Sequence, residues 1–184
     1  MRNILVIQGH PNNKSFCFAL ADKYIENAKK QGATVALVNL VDLKFDPILR
    51  GNFNDIQPLE PDLIELQKKI LWANHVVWIY PLWWGSLPAL LKGFIDRAFL
   101  PGYAFKYKPG QGMPEKLLIG RTSEIISTLD TPVWLYKWLL GAPGLKIMKS
   151  GILGFCGLKV TKTMLLGPIR GSSEEQRKKW LGQL

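Results

Sequence analysis

The chain has 184 residues, 47% hydrophobic and 21% charged, with a formal net charge of +10, which fits one globular domain spanning 1–184. Its most apolar stretches, 76–91 and 133–140, are too short for a membrane span, and the first is broken by Pro81 and Pro88. The positive charge favours anionic partners, but the Lys and Arg residues are scattered and form no long basic run or recognition-helix motif, which argues against a nucleic-acid binder. Met1-Arg2 runs straight into an apolar strand with no signal-like segment. Cys17 and Cys156 lack CxxC or metal spacing, so a reducing cytoplasm is expected.

In chain order, Asn3–Gln8 (NILVIQ) is a continuous apolar run, as in a parallel strand buried on both faces. Ser15–Gln31 reads as a helix, with Phe16, Ala19, Leu20, Tyr24 and Ala28 at helical spacing and Gly32 closing it. Thr34–Asn39 is a second strand. An irregular segment rich in Asp, Asn, Pro and Gly follows, from Leu43 to Pro58, and loops of that length often have a function. Asp62–Trp72 is a helix, His75–Tyr80 a third strand and Leu87–Phe99 a further helix with Pro88 in its first turn. Pro101–Pro114 reads as a Gly/Pro/Tyr loop. Apolar runs occupy Lys116–Gly120 and Ser123–Ser127, the second forming the fourth strand. Pro132–Leu140 and Gly144–Gly151 read as short helices, Val160–Leu166 as the fifth strand and Ser173–Leu184 as a terminal helix capped by Ser172 or Ser173. Strands alternating with helices predict a doubly wound α/β/α sandwich with a five-stranded parallel sheet, and the flavodoxin-like order 2-1-3-4-5 fits.

In such a sheet ligands lie outside the carboxyl ends of the strands, at the switch between strands one and three. Three loops qualify. The first, Gln8 to Phe16, leads into a helix N-terminus where free N–H groups and a Ser15 hydroxyl would suit a phosphate, with Lys14 adding charge; a plain strand–helix connection capped by Ser15 is the alternative. It contains no GxGxxG or GxxxxGK[ST], and His10 on its own reads more readily as a structural loop residue than as a ligand. The second, Pro81-Leu82-Trp83-Trp84-Gly85, carries two adjacent indoles that cannot both point inward; an exposed pair marks a binding site. An apolar ledge with free amides suits a flat, partly polar ring such as a flavin. The third, Ser127-Thr128-Leu129-Asp130-Thr131-Pro132, offers hydroxyls and amides to a heterocycle edge, or is simply a turn with a capped helix behind it. No HxxxH, HExxH or GxSxG motif is present, so neither a metal site nor a hydrolase is expected. Cys17, between Phe16 and Phe18, reads as a small buried side chain rather than a nucleophile.

The order of QGHPNNKSF, FDPIL (Phe45–Leu49), Gln67–Phe99 and GILGFCG (Gly151–Gly157) resembles the flavodoxin-like NAD(P)H:quinone oxidoreductases over nearly the whole chain. The resemblance implies a flavin, FAD with FMN as the alternative, and NAD(P)H as co-substrate. His10, Ser15, Phe16 and Cys17 would hold its phosphates and its ribityl or adenosine portions. Pro81, Leu82, Trp83, Trp84 and Gly85 would wall the ring, and Ser127, Thr128, Leu129 and Asp130 would form the facing loop. Phe105, Tyr107 and Phe155 match aromatic positions around the quinone and nicotinamide, in a pocket completed across a homodimer interface. The implied reaction is two-electron, ping-pong hydride transfer from NAD(P)H through the flavin to a quinone or similar acceptor. Backbone amides of the second and third loops would stabilise charge at the ring's N1/O2 edge.

The chain departs from the family pattern in several places. Ser127-Thr128-Leu129-Asp130 stands where many relatives have Thr-Thr-Gly-Gly, and Gly85 where the animal enzymes have a bulky aromatic. Tyr136 is the candidate for the family's proton-relay tyrosine, but no histidine follows it. The chain is also shorter at its C-terminus than the animal enzymes. Two rival readings are a flavin-binding regulatory subunit of a membrane transporter and a flavodoxin-type electron carrier; the positive charge speaks against the carrier, whose kind is acidic.

Overall fold

The computed structural model describes residues 2–51, 57–110 and 112–184. Parts of two expected loops, residues 52–56 and 111, lie outside that set.

β1 (Asn3–Gln8), β2 (Thr34–Asn39), β3 (His75–Pro81), β6 (Thr122–Thr128) and β7 (Lys159–Leu166) form one parallel sheet in the order β2-β1-β3-β6-β7. This is the doubly wound, flavodoxin-like order expected, with the topological switch between β1 and β3. The helices flanking it are α1 (Phe16–Lys30), α2 (Pro61–Trp72), α3 (Ala89–Ala98) and, further along, α4 (Pro143–Lys146) and α5 (Glu174–Leu181).

Strand side chains alternate between the two faces, and the core divides accordingly. Leu5, Ile7, Val76, Trp78 and Tyr80 pack with Leu63, Leu66 and Ile70 of α2 and with Leu91, Phe94 and Ala98 of α3. Ile4, Val6, Val77, Ile79 and Ile126 pack on the other face with Cys17, Leu20 and Ala21 of α1 and Trp180 of α5. Every residue of β3 is buried, so the middle strand fixes the heights of the loops on both sides of the switch.

Some boundaries move, each for a local reason. α3 starts at Ala89, not Leu87, because Pro88 is extended (φ −60°, ψ 149°) and is the residue before the helix rather than part of its first turn. Ser15 precedes α1, but its hydroxyl makes no capping bond. Ser173 does cap α5, accepting from Gln176 N at 3.1 Å. The Gly/Pro/Tyr loop contains β4 (Phe105–Lys106), paired antiparallel with β5 (Glu115–Lys116); two-residue strands carry no readable periodicity. The expected helices over 132–140 and 144–151 are largely π-helical, at Leu135–Leu139 and at Ile147–Gly154 after α4.

The long connection from β2 to α2 is held by a buried cation. The Arg97 side chain is 0% exposed. Its guanidinium donates to the Asp46 carbonyl at 2.6 Å, the Pro58 carbonyl at 2.8 Å and both Glu60 carboxylate oxygens at 3.2 and 2.8 Å. The planar fork matches the carboxylate in a way lysine cannot. We expect Arg97→Met to strand Glu60 and two carbonyls, lowering unfolding free energy by about 3 kcal/mol in urea denaturation; a change near zero contradicts the clamp.

Candidate functional site

A cleft of about 930 Å³ opens at the carboxyl ends of the strands, within the range of about 300–1,000 Å³ common for small-molecule sites. Its wall gathers His10, Ser15, Phe16, Cys17, Pro81, Leu82, Trp83, Trp84, Gly85, Thr128, Leu129 and Asp130 from the three expected loops. Ser127 lies apart from the wall, buried within β6. Phe105, Tyr107 and Phe155 are also elsewhere. They form their own edge-to-face group, with ring centroids 5.6 Å (Phe105–Tyr107) and 5.1 Å (Phe105–Phe155) apart.

The ledge after β3 is a tight two-residue turn. Trp83 N donates to Ser86 O at 3.0 Å, Ser86 N donates to Trp83 O at 2.9 Å, and both central residues are left-handed, Trp84 at φ 51° and Gly85 at φ 73°. That is the geometry of a type I′ turn, easy for glycine and strained for tryptophan. The strain presents the Trp84 indole fully to solvent, while Trp83 is half-exposed and meets the His10 ring edge-on at 5.3 Å. With Trp83 N committed inside the turn, Trp84 and Gly85 are left with amides that meet no acceptor among the described residues.

A second layer holds this turn from behind. The Gly85 carbonyl accepts from Gly144 N at 2.8 Å and from the Tyr136 hydroxyl at 3.1 Å, and Leu145 N donates to that hydroxyl at 3.2 Å. A Cβ on Gly144 would stand 2.5 Å from the Gly85 oxygen, so only glycine permits the approach. Ala142, the other left-handed non-glycine among the described residues, bends the chain into it. Tyr136 is buried, and burial raises its hydroxyl pKa above the ordinary tyrosine value. Its geometry is that of a clamp on the ledge.

The facing loop is tied in similarly. Leu82 N donates to Thr128 O at 2.7 Å and Leu129 N to Leu166 O at 3.0 Å. Asp130 accepts from Arg170 N at 2.7 Å through Oδ1. The amides of Asp130 and Thr131 in this loop, which lines the cleft, meet no acceptor among the described residues.

At the start of α1, Phe18 N donates to Ser15 O at 3.1 Å, while the amides of Phe16 and Cys17 meet no acceptor among the described residues, and the first turn carries no acidic residue. The Ser15 hydroxyl oxygen is buried on the cleft wall without a partner among the described residues, an orphan that a ligand oxygen would satisfy. Asn12 N donates to His10 Nδ1 at 2.9 Å, which leaves the ring proton on Nε2; burial lowers the pKa of His10, so the ring is neutral at pH 7. Cys17 sits 3.4 Å from the Thr128 hydroxyl, and burial pushes its thiol up to about 11, which makes it inert as a nucleophile.

The wall also includes Asn12 and Thr131, which lie within two of the expected loops, and Ile169, Arg170 and Arg177, which the sequence reading did not assign. Lys14 is not on the wall, and its cations are Arg170 and Arg177. The Arg177 guanidinium lies 5.9 Å over the Phe16 ring and donates to the Ser172 hydroxyl at 2.9 Å. The signal was available, because the carboxyl-end rule applies equally to the loop after β7. Among the described residues no cluster of His, Cys, Asp or Glu could hold a metal ion, and no helix is long and apolar enough to cross a membrane.

A family profile described as "Flavodoxin-like fold" matches residues 2–184. The mouse protein named ribosyldihydronicotinamide dehydrogenase [quinone] is 30% identical over 96% of this chain and 86% of its own length. The crystal structure of Smu.1420 from Streptococcus mutans UA159 superposes with a TM-score of 0.85 at 32% identity, covering 98% of this chain and 95% of that one. A Bacillus anthracis FMN-dependent NADH-azoreductase solved with FMN has a TM-score of 0.74 at 20% identity, covering 99% of this chain and 95% of its own, a likeness of fold alone. The protein is thus an oxidoreductase of flavodoxin-like fold. The chain belongs to the flavodoxin-like NAD(P)H:quinone oxidoreductase family.

We expect Tyr136→Phe, which removes one hydroxyl from two backbone partners, to cost about 1–2 kcal/mol of stability. Urea unfolding with an unchanged slope would show it; a wild-type midpoint contradicts the clamp.

Proposed function

We propose that the chain is a flavin-dependent NAD(P)H:acceptor oxidoreductase whose residues 1–184 act as one flavin-binding domain in the cytoplasm. The observation that carries this reading is the ledge itself. A strained turn exposes an indole and two unpaired amides beside a buried, partnerless serine hydroxyl at a helix N-terminus. An aromatic face, amide donors and an anion-binding helix end are the three features a flavin nucleotide needs.

The chemistry supplied by a bound flavin is acceptance of a hydride from NAD(P)H and its delivery to a quinone or similar acceptor, in two successive half-reactions at one site. Trp83 and Trp84 would wall the ring, with Pro81 and Leu82 beside them. The amides of Trp84, Gly85, Asp130 and Thr131 would donate to its polar edge, where negative charge collects on reduction. Tyr136 and Gly144 would hold the ledge in position. Ser15 and the first-turn amides of α1 would take a phosphate, with His10, Phe16 and Cys17 around it. Arg170 and Arg177 would balance its charge. The two arginines extend the cationic wall beyond one phosphate, which favours FAD over FMN.

Phe105, Tyr107 and Phe155 lie off this cleft, so in a homodimer they would reach the partner's site and cover the acceptor. A second copy would then supply the lid that excludes water from hydride transfer.

The test is to strip the protein, titrate it with FAD and with FMN, and follow flavin fluorescence. We expect saturable binding, tighter for FAD, and a loss of about tenfold, one 1.4 kcal/mol step, in Trp84→Ala. A colourless protein that takes up neither nucleotide contradicts the reading.

A further inference from the structure

The sheet has two outer strands, and they are finished differently. β7 is guarded: it presents Lys159 and Lys162 to solvent, and a register shift at Ser123/Glu124 interrupts its pairing with β6. Exposed lysines and bulges are the ordinary means of keeping an edge from pairing with another chain. β2 has neither. Its sequence, Thr-Val-Ala-Leu-Val-Asn, holds no charge and no proline, and it runs in unbroken parallel register with β1, from Asn3↔Thr34 to Gln8↔Asn39. β2 ends the sheet on its other side. Apart from the bonds to β1, no backbone hydrogen bond reaches residues 35–39 among the described residues. Leu37, in the middle of the strand, is exposed.

A groove runs beside this edge. Helix α2 lays Glu65, Lys68, Lys69 and Trp72, spaced i, i+3, i+4 and i+7 on one side, next to Ala36 of β2, and together they line a hollow of about 340 Å³. None of these residues lines the cleft. The apolar part of the groove, Ala36 and the exposed Trp72, is flanked by two lysines against one carboxylate. Lys68 comes only within 3.7 Å of Glu65, with both side chains more than half exposed.

We propose that the free edge of β2 and the groove beside it take up an extended, acidic segment of a partner protein by strand addition. The backbone dictates an extended chain, because a strand is what meets a row of free N–H and C=O groups in register. Successive side chains of that strand point to opposite faces. On the α2 side they meet Ala36, Trp72 and the two lysines, which calls for an aromatic residue between acidic ones. On the other side they meet Leu37, which calls for aliphatic residues. Charge excludes a second copy of this chain as the occupant. Two β2 edges paired antiparallel about the middle of the strand would set Lys68 and Lys69 against their own copies, between molecules that each carry a formal charge of +10. A nucleic acid would leave the backbone edge and Leu37 unused. Two strands, β1 and β3, separate β2 from β6, so the edge is filled without touching the cleft, whatever the cleft holds.

Amide NMR of the labelled, full-length protein with two blocked hexapeptides tests the proposal. One peptide is Glu-Val-Phe-Val-Glu-Val; the other, Lys-Val-Phe-Val-Lys-Val, has the opposite charge and the same apolar residues. The acidic peptide is expected to shift the amides of β2 and of the Trp72 side of α2 saturably, less so as salt rises, and to slow hydrogen exchange at the β2 amides that point away from β1. The lysine peptide is expected to bind about tenfold more weakly or worse. Lys68→Glu combined with Lys69→Glu is expected to reverse that preference. Leu37→Lys, which supplies the missing guard, is expected to remove binding of the acidic peptide; the charge reversal keeps the test decisive if Leu37→Lys disturbs the strand. β2 amides that stay still with the acidic peptide overturn the proposal, as do equal affinities for the two peptides or an unchanged preference in the double variant. Exchange at β2 that slows with rising protein concentration in the absence of peptide also overturns it, by giving the edge to a second copy.

Discussion

The site depends on one carbonyl oxygen. Gly85 O accepts two hydrogen bonds, from Gly144 N and from the Tyr136 hydroxyl, and both come from a segment about fifty residues further along the chain. Together with the paired Trp83–Ser86 hydrogen bonds, they hold a tryptophan at φ 51°, a conformation that costs a non-glycine residue about 1–2 kcal/mol. The junction holds an aromatic ledge whose Trp84 and Gly85 amides meet no acceptor among the described residues. Holding a binding surface in one conformation lowers the entropic cost of binding.

The sheet provides the rest of the positioning. β3 is buried along its whole length, and its neighbours on either side, β1 and β6, are in parallel register with it. Three loops therefore emerge at one end at matched heights. Cross-links then fix their spacing: His10 against Trp83, Leu82 N to Thr128 O, Cys17 beside Thr128, and Arg170 N to Asp130. The candidate ligand-binding groups are thus carried on loops but braced by the fully buried β3, the usual division of labour in open α/β sheets.

Much of this was legible in the sequence, because the signals were strong and local. The apolar runs of β1 and β3 and the helical spacing of α1 and α2 dictated the layers. The rule of carboxyl ends led to His10, Trp84 and Asp130 without any contact information. What escaped was non-local or too short to show periodicity. Two-residue strands such as Phe105–Lys106 have no pattern to read. π-helical turns shift the apolar spacing off both standard periods. The partners of Gly85, the burial of Arg97 and the approach of Arg177 to Phe16 join residues that are distant in sequence. The hydroxyl of Ser15 looked like a helix cap; in the folded chain it is left unpaired on the cleft wall, which makes it more useful to a ligand than a cap would be.

The central claim is that a flavin ring lies on the Trp84 ledge, between the loops after β3 and β6. Amide NMR of the isotopically labelled protein during addition of FAD tests it most directly. The account predicts that the signals of Trp84, Gly85, Asp130 and Thr131 move together with those of the first turn of α1, while β2 and α2 stay still. Saturating flavin that perturbs a different surface and leaves the Trp84 and Gly85 amides unmoved would contradict it.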